Sequence, residues 1–347
     1  MPLAAAETDP PGSHSMRSGN ALSGFIEMHD PATATPSAPV FPGWFRSQCA
    51  YAAHPSGTRL PWGLIAPLLG ILFVVVSSLP IELAMDQAAL VDADDNPRDA
   101  MALALFLVGP FSLLGLLVLG WIRWIERRPV ASIGLASGVG PRRFLRGYGI
   151  GLAMACGVVA AIWLSGGYTP GDVAPAFASP RALASMGLLL VCFAIQSSVE
   201  EILFRGWMLS VIARKFNPAV AVILSAAVFA LLHAVHRQPP VVAAGILLFS
   251  TFTCAWALSA RNVWGAMGWH SAWNWLLCVG FGVPVTGIDA HLPALLVALQ
   301  PVGPAWITGG AEGPEGSAFC AILLGAGTLV LLARLRPRAV PSSRTMA

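Results

Sequence analysis

The chain has 347 residues, 56% hydrophobic and only 11% charged, with a mean hydropathy of +0.70, far from the roughly 25% charged content of an ordinary soluble domain. This is the composition of a membrane protein. The apolar residues come in several long runs, which excludes a soluble enzyme with one anchor and a β-barrel of weakly alternating segments of about 10 residues. A formal charge of +3, from 20 basic and 17 acidic residues, is too small for a nucleic-acid surface, so no nucleic-acid partner is expected. The cysteines (Cys49, Cys156, Cys192, Cys254, Cys278, Cys320) stand singly, without the spacing of a disulfide framework or a zinc knuckle.

In chain order, residues 1–60 are rich in Ala, Pro, Ser, Thr and Gly and read as a disordered cytoplasmic tail; they lack the basic-then-apolar order of a signal peptide. Met16 and Met28 leave a shorter natural start open. Spanning helices are expected at 61–84, 100–122, 147–165, 183–213, 218–236, 241–259, 262–281 and 318–334, most near the ~20 residues that cross the hydrocarbon core. The expected fold is therefore an all-α integral membrane protein of about eight transmembrane helices, since a lone segment in lipid must satisfy its own backbone hydrogen bonds. The Gly- and Pro-rich stretch 282–317, with an apolar patch at Leu292–Leu299, reads as a long extracytoplasmic loop with an interfacial turn. The chain thus divides into the tail (1–60), three helices with their loops (61–180), a core (181–281), that loop, and a last helix with a basic C-terminal tail (318–347).

With eight crossings, 17 of the 20 basic residues collect on one side of the membrane. The other side receives only Arg98, Arg181 and Arg237, with most of the acid, including Asp92, Asp94, Asp95 and Asp99. Because basic loops stay in the cytoplasm, both termini are expected there, in what reads as a bacterial plasma membrane.

Ionisable groups inside a span are costly, so each is a functional candidate. They concentrate on the fourth span (Gln196, Glu200, Glu201, Arg205), the fifth (His233, His236) and the seventh (His270, Asn274). Glu201 and Arg205, four apart, can pair and neutralise each other, a structural role that fixes the helix. Glu200 points about 100° away and has no partner nearby in sequence. Phe229 and His233 share a face, as do His270 and Asn274. A lone His in an apolar run is more often a hydrogen-bonded core residue than a catalyst, but an unpaired carboxylate beside it changes that weighing. At about 1.5 Å per residue from the cytoplasmic ends, Glu200 lies about 20 Å in, His233 about 23 Å, His270 about 12 Å and Asn274 about 18 Å, one layer within the error of the ends.

The runs Glu200-Glu201-Ile-Leu-Phe-Arg205, Phe229-Ala-Leu-Leu-His233 and His270-Ser-Ala-Trp-Asn274, in that order, resemble the three motifs (EExxxR, FxxxH, HxxxN) of the CPBP family, which comprises CAAX-type prenyl-protein endopeptidases and bacteriocin-processing or immunity proteins. Three ordered motifs are far more specific than one. The resemblance covers roughly 183–281. It implies an eight-helix intramembrane glutamic protease that hydrolyses membrane-embedded or membrane-associated proteins, without metal or cofactor. In it Glu200 and His233 activate a water, His270 and Asn274 stabilise the oxyanion, and Glu201 with Arg205, beside Phe229, supports the helix.

Other readings remain open at this point. Two His and one Glu could hold zinc, although HExxH is missing and Asn is a poor zinc ligand. Catalysis by Cys192, Cys254 or Cys278 is disfavoured by their apolar flanks, and a transporter by the lack of repeats. A non-catalytic scaffold or bacteriocin-immunity protein would have been favoured by loss of a motif residue, and none is lost.

Overall fold

The computed structural model describes residues 59, 63–136, 138, 140–233 and 240–335. The expected N-terminal tail (1–60, apart from Arg59), His236, Arg237 and the C-terminal tail beyond 335 lie outside the described residues.

The described chain is mostly helical. In order it forms α1 (Ile65–Gln87), α2 (Ala100–Gly120), α3 (Gly140–Leu164), β1 (Tyr168–Val173), α4 (Pro180–Glu201), α5 (Leu209–Lys215), α6 (Pro218–His233), α7 (Pro240–Ala260), α8 (Trp264–Trp275), β2 (Val297–Pro301), α9 (Ala305–Thr308) and α10 (Ala318–Leu335). Helical segments therefore stand at all eight expected places. Among the described residues six stretches are long and apolar enough to cross a membrane: Ile65–Gln87, Ala100–Ile125, Gly140–Leu164, Pro180–Lys215, Val242–Ala260 and Gly310–Leu335. The fifth expected span is a 16-residue helix, α6, and the last three residues of that span fall outside the described chain. The seventh is α8 prolonged by a π-helical segment, Leu276–Gly280.

Start signals in the sequence account for several helix ends. The Asp99 carboxylate accepts from the backbone N–H groups of Met101 and Ala102 at the start of α2, at 2.9 and 2.8 Å. Asn217, just before Pro218, accepts from Val220 N at 2.9 Å to open α6. Ser317 accepts from Cys320 N at 3.1 Å to open α10. Such caps satisfy orphan donors that lipid cannot.

The stretch 282–317 is more ordered than a loop with one turn. Its β2 pairs antiparallel with β1, Tyr168 opposite Pro301 and Pro170 opposite Leu299, with a bulge before Val173. The short α9 and a 3₁₀ segment, Gly310–Gly316, follow. The pairing joins residues about 130 positions apart, one partner carrying Pro170-Gly171, so no local alternation announces it.

Helices α3 and α8 meet through glycine. A Cβ on Gly147 would strike the Gly265 carbonyl, one on Gly151 the Trp269 carbonyl, and one on Gly268 the Phe144 carbonyl. Small residues let helix backbones approach closely where lipid offers no hydrophobic drive for association. This contact holds the helix that carries His270 and Asn274.

Candidate active site

Glu200 and Glu201 end α4, and the chain runs without a break into a π-helical segment, Ile202–Met208. π-Helical insertions are rare and concentrate at functional sites. Gly206 lies in this widened turn because the Ile133 carbonyl packs against it: a Cβ there would lie 2.9 Å from that oxygen.

The two neighbouring glutamates have different surroundings. Glu201 is fully buried, with Oε1 3.2 Å from Arg205 Nη1 and 3.0 Å from His270 Nδ1. The expected pair with Arg205 is present, and the carboxylate also holds an imidazole from another helix, which sequence spacing could not show. Glu200 is held loosely. Its Oε1 lies 4.0 Å from His233 Nε2 and its Oε2 3.7 Å from His270 Nε2. These gaps exceed hydrogen-bond length and leave the carboxylate able to receive a proton from a third group.

Each imidazole is oriented through its other nitrogen. His233 Nδ1 lies 2.8 Å from the Phe229 carbonyl, and His270 Nδ1 faces the Glu201 carboxylate. A carbonyl or an ionised carboxylate only accepts, so Nδ1–H is the donor in both, and both Nε2 atoms are turned to Glu200. Phe229 is the spacer behind His233: their rings stack at 4.2 Å, and the Arg205 guanidinium sits 4.5 Å from the Phe229 centroid on a cation–π contact. Asn274 Nδ2 donates to Gln196 Oε1 at 3.5 Å, an oxygen that also accepts from Ser197 Oγ at 2.9 Å. Gln196 stands one turn before Glu200.

These side chains face one small cavity of about 50 Å³, lined by Gln196, Glu200, Phe229, His233, His270 and Asn274 among others, room for a few waters. The structure thus gathers the four expected catalytic candidates, Glu200, His233, His270 and Asn274, with Glu201, Arg205 and Phe229 behind them. Among the described residues no group of three or more His, Cys, Asp and Glu is arranged to hold a metal ion.

Two features escaped the sequence. Glu312 and Glu315, in the stretch read as a loop, also line the cavity. Glu315 is a latch: it accepts from Trp273 Nε1 at 2.9 Å on α8, and from the backbone N–H and hydroxyl of Thr286 at 2.7 and 2.8 Å. The other is a second buried ion pair. Arg128, one of the 17 basic residues assigned to the cytoplasmic side, is buried with Nε 2.6 Å from Glu126 Oε2. Glu126 Oε1 accepts from Trp207 at 2.6 Å and Trp121 at 3.0 Å, and Arg128 donates to Ser210 at 3.3 Å. Burial pushes the Arg128 guanidinium below its ordinary value, against the opposing pull of Glu126. Trp207 belongs to the π segment, so this pair anchors the turn that carries Arg205.

Residues 182–276 match the family model described as type II CAAX prenyl endopeptidase Rce1-like, the CAAX-type proteases that the three motifs resemble. No curated protein and no solved structure matches the chain. The family match, with the apolar helices, supports a CAAX-type endopeptidase of the membrane acting on a membrane-associated protein.

Proposed function

We propose that the protein is an intramembrane endopeptidase in which Glu200 and His233 activate a water. The observation that supports this most is a carboxylate without a tight partner among the described residues, facing two oriented imidazoles and an amide across a cavity of water size. In this reading Glu200, assisted by His233, takes a proton from water; the oxygen adds to the scissile carbonyl carbon, and the amide C–N bond breaks as the proton passes to the leaving amine. The products are a carboxylate and a free amine. The negative oxygen that forms on the way faces Asn274 Nδ2, whose second hydrogen is not used by Gln196, and His270 Nε2, a donor when the ring carries both protons, with Glu201 balancing its charge. Arg205 and Phe229 hold Glu201 and His233 in place. The zinc-dependent and non-catalytic scaffold readings predict different outcomes in the tests.

The test compares protein termini in cells carrying the intact protein with those carrying Glu200→Ala. New termini that vanish with the substitution support a protease; identical termini leave the scaffold reading. Activity of the isolated protein is expected to survive strong chelators, whereas a loss restored by added zinc would establish the metalloprotease.

A further inference from the structure

Connections between the helices alternate between two faces of the bundle, and the faces differ sharply in charge. One face carries exposed Arg123, Arg127, Arg142, Arg143 and Arg146 between α2 and α3 and at the start of α3, then Arg214 and Lys215 at the end of α5, Arg261 after α7 and Arg334 near the end of α10. The other carries Asp92, Asp94, Asp95 and Asp99 between α1 and α2, Asp172 on β1, and Asp289, Glu312 and Glu315 before α10; among the described residues its basic side chains are Arg98 and Arg181. The bias of Arg and Lys sets orientation, and it places the first face in the cytoplasm.

The cavity is displaced toward the second face. On α7 its lining residues, from Val242 to Phe249, fall in the half next to Pro240, and on α10 Cys320 and Leu324 fall in the half next to Ala318. His233 is the last residue of α6, at that same face. Exposure falls inward from there: the His233 side chain is 22% exposed, Glu200 7% and His270 4%. Farther along these helices toward the basic face, Phe252 and the lining residue Phe249 pack against Trp269, with ring centroids 4.9 and 5.1 Å away, and Trp207 and Met208 have no exposed surface.

Resting on the protease reading above, we infer that Glu200 is reached from the non-cytoplasmic side, so that the substrate is a membrane-anchored protein whose cleaved segment lies outside the cytoplasm. The latched segment Gly310–Gly316 then stands at the entrance, with Glu315 fixing it to α8 and to Thr286.

The experiment places single cysteines in the full chain, with Cys49 and Cys156 replaced by Ser, and reacts intact cells with a membrane-impermeant maleimide. Ala311 and Asp172 are exposed at the entrance face and Arg143 at the basic face. Ala311→Cys and Asp172→Cys should label in intact cells, and Arg143→Cys only after permeabilisation; two entrance positions guard against one misfolded variant. Labelling of Arg143→Cys in intact cells, or protection of both entrance positions, overturns the inference. A second arm maps the termini that depend on Glu200. Sites in non-cytoplasmic segments support the inference, and sites in cytoplasmic segments overturn it while leaving a protease. A lack of any Glu200-dependent termini removes the protease reading itself, a failure that the labelling pattern does not produce.

Discussion

Two buried clusters flank the same π-helical turn, and they are built in opposite ways. Around Glu126 every contact is short: Arg128 at 2.6 Å, Trp207 at 2.6 Å and Trp121 at 3.0 Å. Around Glu200 the nearest imidazole nitrogens among the described residues stand 3.7 and 4.0 Å away, and the space between is a cavity. A tight, closed carboxylate holds chain segments in place but has no room for a reactant. An open one is a poor fastener and can exchange protons with whatever enters. Glu201, next to Glu200 in the chain, resembles Glu126 in its fastening role and touches the site through His270.

If the tight clusters are fasteners, breaking them should cost stability before chemistry. Glu126→Ala removes the carboxylate that balances Arg128, and Arg205→Ala removes the guanidinium that balances Glu201 and leaves it the His270 imidazole; removing one partner of a buried pair costs about 3–5 kcal/mol. Both variants should lose folded protein, read as level in membranes and thermal unfolding in detergent, more than they lose turnover per folded molecule. Normal abundance of Arg205→Ala with abolished activity would move Arg205 into the chemistry and blur the comparison. Asn274→Ala belongs to the open cluster and should behave the other way: normal level, with a rate lowered about 100- to 1000-fold, the usual cost of one oxyanion donor. The smallest effect is expected from Trp207→Phe, which removes one hydrogen bond to Glu126 and leaves Trp121 and Arg128; about 1.5–3 kcal/mol of stability should go, with turnover per folded molecule retained.

How much of this was legible in the sequence follows from which interactions are local. Apolar runs announced the helices because spanning lipid demands length and self-satisfied backbone. The motif residues were legible because charge within a span is rare, and helical spacing correctly paired Glu201 with Arg205. Spacing could not reveal that His270 closes onto Glu201, since 69 positions separate them. The π turn stayed hidden because Ile202–Met208 keeps an ordinary apolar helical composition. Glu126 and Arg128 gave no signal of their own, two apart and beside exposed Arg127; Trp207, which donates to Glu126, lies 81 residues from it. Glu315 was masked by its Gly- and Pro-rich neighbours. Its only local signal was acid placed immediately before an apolar span.

The central claim is that Glu200 is the group that takes the proton from water. Glu200→Gln keeps the size and polarity of the side chain and removes that capacity. Purified wild-type and Glu200→Gln proteins, matched for folded content by thermal unfolding, are assayed for cleavage of a membrane-associated peptide. The account predicts that Glu200→Gln folds and inserts as the parent does and loses nearly all cleavage. Wild-type cleavage by well-folded Glu200→Gln would contradict it.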